Sequence, residues 1–234
     1  LGDVVQGSPS AISSVYGAPF SLVLVGARTI DGTGRVYGLD ADDGSIRWTF
    51  ENLVAQGGDG LAVGAINDAI NFDYADVGGG KRRAWFGSRR KTGGSQDTLW
   101  ALAFDASSVT RVWSRDLGSI DGFPLVGGAN LYAGTNASKV WAVNAATGAS
   151  VWALPFDAGD GPIKVTVWPD TTNGRLYFST TNHVWSIGTD GVQRWKKQMN
   201  SPSTPNRTTG ALLLGSGDGR VYQLGNLLVN DQAQ

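Results

Sequence analysis

The sequence contains no cysteine. That absence excludes disulfides, thiolate zinc sites and thiol nucleophiles together, although it does not fix the compartment. Histidine is nearly absent: His183 stands alone. Without a His or Cys partner it makes a poor metal site, and no G-x-S-x-G elbow supports a Ser-His-Asp reading. Its place at the start of a strand predicts a structural or exposed residue. Charge is sparse at 17%, and the net value of −1 provides no global field to recruit nucleic acid or an anionic membrane. No apolar run approaches the roughly 18 residues that cross a bilayer. No basic segment followed by an apolar run opens the chain, and it begins at Leu1, which reads as a processed protein or a fragment. Sustained 3.6-residue periodicity with helix caps is missing as well.

Glycine and tryptophan are plentiful, with 34 and nine copies in 234 residues. Glycine marks tight turns and bulges, and tryptophan marks large packing anchors. One pattern then recurs: "VYGLDADDGSIRW" at 36–48, "LWALAFDASSVTRVW" at 99–113, "VWAVNAATGASVW" at 140–152 and "VWSIGTDGVQRW" at 184–195. A fainter copy, "RVYQLGNLLV", covers 220–229. Each alternates apolar residues, turns, and begins a second short strand, which is a β-hairpin signal. A further strand precedes each hairpin, at 21–27, 83–89, 129–135, 174–180 and 210–217. Weaker extended pieces come before those, at 4–12, 69–75, 122–128, 163–170 and 203–209. Four strands per unit, recurring about every 40 residues, predict an all-β chain of propeller blades. The expected blades are 1–50, 51–117, 118–156, 157–199 and 200–234, with an insertion at 51–68. Five blades can stand alone or form part of a larger propeller. In the last, "LLVN" at 227–230 is the candidate outermost strand.

The hairpins resemble the PQQ-like, quinoprotein-type β-propeller repeat, whose pattern is roughly A-x-D-x-x-T-G-x-x-x-W. Ala142, Asn144, Thr147, Gly148 and Trp152 fall on it, with Asn for Asp. Asp40, Asp43, Gly44 and Trp48 fall in register, with Gly38 for Ala. Ala103, Asp105, Ser108 and Trp113 keep the spacing, but Val109 replaces Gly. The fourth copy is one residue shorter, with Ser186, Gly191 and Trp195. The resemblance implies that Trp48, Trp113, Trp152 and Trp195 each dock against a neighbouring blade, with Gly44, Gly148 and Gly191 making the turns. Some members are quinoprotein dehydrogenases, with the quinone stacked on a Trp beside calcium and a catalytic Asp, in many cases against adjacent cysteines. Here Trp100, Trp141 and Trp185 lie on repeat strands, where core packing is expected, so no quinone is assigned. A narrower resemblance links "LGDVVQGSPS" and "VYGLD" to the propellers of pilus-tip adhesins, which can carry a calcium loop.

Other residues qualify as site candidates on chemistry alone. Asn67, Asp68, Asn71, Asp73 and Asp76 offer the oxygen ligands that calcium takes. Their spacing is not an EF-hand, so turn and strand-end roles are expected and calcium is only an alternative. "DADDG" at 40–44 is Asp-rich but sits in a hairpin turn. Lys81, Arg82, Arg83, Arg89, Arg90 and Lys91 flank the apolar "AWFGS". They read as solvated strand ends or as contacts for an acidic protein or glycan, with nucleic acid not expected. Asn136 and Asn206 begin glycosylation-type triplets. The expected function is a non-catalytic scaffold in a bacterial periplasm or on a bacterial surface. It would have a protein or glycan partner, or further blades of the same protein, and no catalytic residue, cofactor or metal. A quinoprotein dehydrogenase fragment and a calcium-stabilised adhesin are the alternatives.

Overall fold

A computed structural model describes residues 4–181, 183–198, 212–215 and 221–224. The chain divides into two compact units, Leu1–Pro124 and Leu125–Gln234. Apart from two short 3-10 turns, Ser14–Tyr16 and Val54–Gln56, every described element is a strand.

The first unit holds two four-stranded antiparallel meanders. One is β1 (Ser10–Ile12), β2 (Leu22–Arg28), β3 (Gly34–Asp40) and β4 (Ile46–Phe50). The other is β5 (Asn71–Phe72), β6 (Arg82–Gly87), β7 (Leu99–Phe104) and β8 (Val109–Arg115). Apolar side chains from both form one core, with Leu24, Val36, Phe50, Phe86, Trp100 and Phe104 all buried. The second unit repeats the plan. Its first sheet has β9 (Leu125–Gly127), β10 (Asn130–Gly134), β11 (Lys139–Asn144) and β12 (Phe156–Asp157). Its second has β13 (Trp168–Asp170), β14 (Arg175–Ser179), β15 (His183–Gly188) and β16 (Gln193–Gln198). Tyr132, Val140, Val167, Phe178 and Trp185 fill that core. A two-stranded ladder pairs β17 (Leu212–Gly215) with β18 (Val221–Leu224). The piece expected at 203–209 and "LLVN" at 227–230 lie outside the described residues.

The hairpin motif has a physical origin in its turns. Asp40 Oδ1 accepts from the N–H groups of Asp42 and Asp43. Asn144 Oδ1 does the same for Ala146 and Thr147, and Asp105 Oδ1 for Ser107 and Ser108. Only a side-chain carbonyl-type oxygen is needed, which explains why Asn substitutes for Asp. Gly44 and Gly148 then close their turns at φ 72° and 73°, in the left-handed region.

Several strand expectations require correction. The outer pieces are shorter than the sequence suggests: β1 covers three residues and β5 two. In the third hairpin the strand ending at Trp152 does not form. Residues 149–155 meet β11 through a Val143–Ser150 bridge and two backbone bonds, from the Asn144 N–H to the Ala149 carbonyl and from the Val151 N–H to the Ala142 carbonyl. Pairing resumes at β12, immediately after Pro155, which has no N–H to give a ladder. In the second hairpin Trp113 lies opposite Ala101.

Three hairpins also share a β-bulge that the repeat pattern did not reveal. Trp48 pairs with Gly38 and Ile46 with Leu39, so Arg47 is the extra residue. Val112 and Arg194 occupy the same place before Trp113 and Trp195. A bulge bends its strand and re-aims the next side chain.

The insertion at 51–68 is a folded loop. Asn52 is fully buried at φ 62°, and its Nδ2 donates to Asp59 Oδ1 (2.6 Å) and the Leu61 carbonyl (2.9 Å). Arg111, on β8, donates to the Gly57 carbonyl and to Asn52 Oδ1, and Gln56 Nε2 donates to the Thr49 carbonyl at the end of β4. Asn52→Ala should cost about 1–3 kcal/mol for the stranded acceptors, plus roughly 1–2 kcal/mol for an alanine in the left-handed region. Asn52→Gly removes the amide without that strain and should lose less. Thermal melts, with limited proteolysis at 51–68, measure both. Equal losses for the two variants would refute the strain component.

Candidate functional site

The loop β2–β3 (residues 29–33) and the loop β6–β7 (residues 88–98) approach each other on the first unit. Between them lies an open groove of about 850 Å³. Arg28, Arg89, Arg90 and Lys91 line it, with Asp31 the one carboxylate among the described lining residues. Asp31 is turned inward onto the hydroxyls of Thr29 and Thr33, and these bonds hold its carboxyl well below the usual range. The fully exposed Ile30 stands at the tip of the same hairpin.

Two of the arginines are held in fixed poses by acids outside the groove lining. Arg89 is bidentate to Asp121, with Nε to Oδ1 at 2.6 Å and Nη2 to Oδ2 at 2.9 Å. Arg90 is bidentate to Asp116, both bonds at 2.9 Å. Such fork–fork pairs fix geometry as well as charge. Lys91 Nζ bridges the walls by donating to the Asp31 carbonyl at 2.9 Å.

The remaining basic residues are placed differently. Arg82 is only 6% exposed; its Nη1 donates to the Lys81 carbonyl and its Nη2 to the Gly17 carbonyl. It is therefore unsuited to partner contact. Lys81 lies 3.9 Å from Asp105, and Arg83 is half-buried on β6. The sequence could not separate these three from Arg89, Arg90 and Lys91, because the distinction depends on which loop faces which.

The acidic candidates are not brought together. Asp73 Oδ1 accepts from the Ala75 N–H, and Asp76 Oδ1 from the Gly78 N–H. Asn67 Nδ2 donates to Asp121, and Asn71 lies on β5. Among the described residues no group of three His, Asp or Glu side chains could hold a metal ion. At 40–44, Asp40 caps its turn and binds Arg47 through Oδ2 (2.6 Å to Nη2).

Asp68 is partly buried, and that burial raises its pKa against hydrogen bonds from the backbone at Ala69 and Phe123. A raised folded-state pKa means that the native state binds the proton more tightly than the unfolded chain. Its contribution is therefore present at low pH and lost as pH rises through the folded value. Asp68→Asn should be more stable than wild type at pH 7. The gap should close at a pH below the unfolded carboxyl value of about 3.9. Urea unfolding at several pH values checks this, and a gap that does not change with pH would refute it.

The second unit holds a denser polar cluster. His183 Nδ1 and Thr180 Oγ1 both lie 2.5 Å from Asp160 Oδ2. Trp185 Nε1 donates to Thr180 Oγ1, and Lys196 Nζ sits 4.4 Å from the centroid of the Trp185 ring. Asp160 Oδ2 thus joins the imidazole of His183 to the hydroxyl of Thr180. Its visible work is to tie the loop at 158–167 to β14 and β15.

Trp100 and Trp185 are buried. Their rings stack on Phe86 and Phe178 at 3° and 6°, and their N–H groups are satisfied by Ser88 and Thr180. As placed, neither offers an open ring face to a planar quinone. Trp141, on β11, is half-buried. In the Asn136 triplet the amide oxygen is buried and Ser138 Oγ donates to the Gly161 carbonyl.

The closing tryptophans differ among themselves. Trp48 Nε1 donates to the Asp105 carbonyl at 3.0 Å, reaching the turn of the next sheet. Trp152 Nε1 donates to the Thr189 carbonyl at 2.9 Å, and its ring lies over Gly191, where an added Cβ would come within 3.1 Å. Gly191 thus makes its turn at φ 79° and also forms the floor under that indole. Trp113 and Trp195 are half-buried, and Trp195 meets Tyr177 at 6.2 Å.

No curated protein sequence matches this chain. Among solved structures it is similar to BamB from Moraxella catarrhalis, at 17% identity and TM-score 0.56, covering 99% of this chain and 61% of that one. It is similar to quinohemoprotein alcohol dehydrogenase from Comamonas testosteroni, at 15% identity and TM-score 0.61, covering 95% of this chain and 40% of that one. It is also similar to BBS1N, solved in complex with ARL6DN, at 13% identity and TM-score 0.61, covering 96% of this chain and 59% of that one. The chain thus spans about two fifths to three fifths of the length of these structures. The family described as outer membrane protein assembly factor BamB matches residues 17–154 and again 100–229. With hairpins, turns and sheet order in agreement, the chain belongs to that family, and its fold is a β-propeller of PQQ-like repeats.

Proposed function

We propose that this chain is a non-catalytic protein-interaction module of a bacterial envelope or surface protein. The observation that carries the reading is the match to the assembly-factor family over residues 17–154 and 100–229. A further feature supports it. The first unit carries an open groove, which suits a macromolecule better than a small substrate enclosed on most sides.

A quinoprotein reading draws on the likeness to the Comamonas enzyme, but fold alone does not transmit chemistry. Incubating the chain with pyrroloquinoline quinone and calcium should give neither dye reduction with primary alcohols nor a shifted quinone spectrum. A partner identified by cross-linking in envelope extracts should re-form a stoichiometric complex from purified components. Quinone-dependent turnover would overturn the proposal.

A further inference from the structure

We infer that the groove between residues 28–33 and 89–92 binds an acidic peptide segment of a partner protein, with an apolar residue of that segment resting on Ile30. The inference rests on the interaction-module reading and names the partner's chemistry. The first argument is charge. Four cations line the groove, and Asp31, Asp121 and Asp116 offset three of them, so the cluster keeps a small positive excess in a chain whose net charge is −1. The second is preorganisation. Arg89 and Arg90 use Nε and Nη2 on Asp121 and Asp116, which leaves each Nη1 outside those bonds and costs little further ordering on binding. Lys91, anchored on the Asp31 carbonyl, keeps the two walls together.

The lining also discriminates among anions. It contains no aromatic side chain, so bases of a single-stranded nucleic acid would find nothing to stack on. Asp116 and Asp121 hold the guanidinium groups of Arg90 and Arg89 in place, so each presents its Nη1 in a fixed direction. Ile30, fully exposed at the rim, offers an apolar contact that a free inorganic anion cannot use.

The test uses the full 234-residue chain and fluorescence anisotropy with a labelled peptide of about ten residues, half of them glutamate and one leucine. Binding should weaken about tenfold in the double variant Arg90→Ala/Lys91→Ala and about threefold in Ile30→Ser. It should weaken further as salt is raised several-fold. A glutamine-substituted peptide should bind at least about tenfold less tightly. Melting temperatures establish that the variants fold, and Ile30→Ser is a second, exposed probe. Equal binding by wild type and the double variant would overturn the inference, as would tighter binding of oligothymidylate than of the peptide. If the acidic peptide does not bind while a purified partner binds wild type and variant alike, the groove is wrong and the module reading stands. Quinone-dependent turnover would remove the module reading itself.

Discussion

Gly87→Ala should destabilise the first unit by about 1–3 kcal/mol, the usual cost of forcing a methyl group into a packed core. A Cβ at Gly87 would lie 2.3 Å from Ile120 Cγ2 and 3.0 Å from Ile120 Cβ. Ile120 is fully buried and cannot swing away, because its own N–H donates to the Ser88 carbonyl at 3.0 Å. The arrangement recurs. Gly26 faces Ile66 Cγ2 at 2.6 Å, and Gly134 faces Ile163 Cγ2 at 2.3 Å, with the Ile163 N–H bound to the Thr135 carbonyl. In each case a glycine on the second strand of one sheet forms a notch that an isoleucine leading into the next sheet fills. The control is a compensating pair. Ile120→Ala alone should cost about 2–5 kcal/mol for its cavity, whereas Gly87→Ala/Ile120→Ala should lose less than the sum of the two single changes. Strict additivity, measured by denaturant unfolding of all four proteins, would show that the notch and the isoleucine do not interact.

These notches mark where sequence reasoning stopped. The hairpins were legible because their signals are local: alternation, an Asx turn and a glycine within about a dozen residues. Gly87 and Ile120 are 33 positions apart, and no periodic pattern links them. The bulge residues Arg47, Val112 and Arg194 were hidden for a different reason. A bulge changes the pairing and leaves the spacing of apolar residues intact, so the pattern before each Trp looked like ordinary alternation. The missing strand at Trp152 could not be read from the repeat, because the docking Trp is common to hairpins that keep the strand and to this one that loses it. Trp48 makes the same kind of bond from within β4, whereas the Trp152 segment runs into Pro155, which has no N–H to give a ladder. The groove was half legible. "SRRKT" stood out as basic, but its opposite wall, residues 28–32, lies about 60 positions earlier and carries one arginine and one exposed isoleucine. Arg82 was misplaced because composition cannot distinguish a guanidinium among backbone carbonyls from one in water.

Trp48→Ala should cost about 3–5 kcal/mol, the range for truncating a buried tryptophan. Trp48 is 7% exposed and packs in three directions. Beneath it is Gly38, where a Cβ would approach the indole to 2.2 Å, so the ring lies directly on bare backbone. Beside it is Phe104, with centroids 5.8 Å apart. At its far edge Nε1 reaches the Asp105 carbonyl. The indole thus joins β3 of one sheet to the hairpin of the next, and the bulge at Arg47 aims it there. For a chain of this size the loss corresponds to a melting temperature lower by about 6–20 °C, at roughly 2–4 °C per kcal/mol. Trp48→Phe separates the two contributions. It keeps much of the apolar area and deletes the N–H, so it should cost about 1 kcal/mol for the hydrogen bond, plus a smaller packing loss. Gly38→Ala tests the other face and should approach the Trp48→Ala loss, because the methyl would occupy the space of the ring. Calorimetry resolves whether only one unit's transition moves. Trp48 belongs to the core cluster of the first unit, so the transition of that unit is the one expected to move. A Trp48→Ala protein that melts within about 2 °C of wild type, less than 1 kcal/mol on the same scale, would show that the indole fills space without joining the sheets.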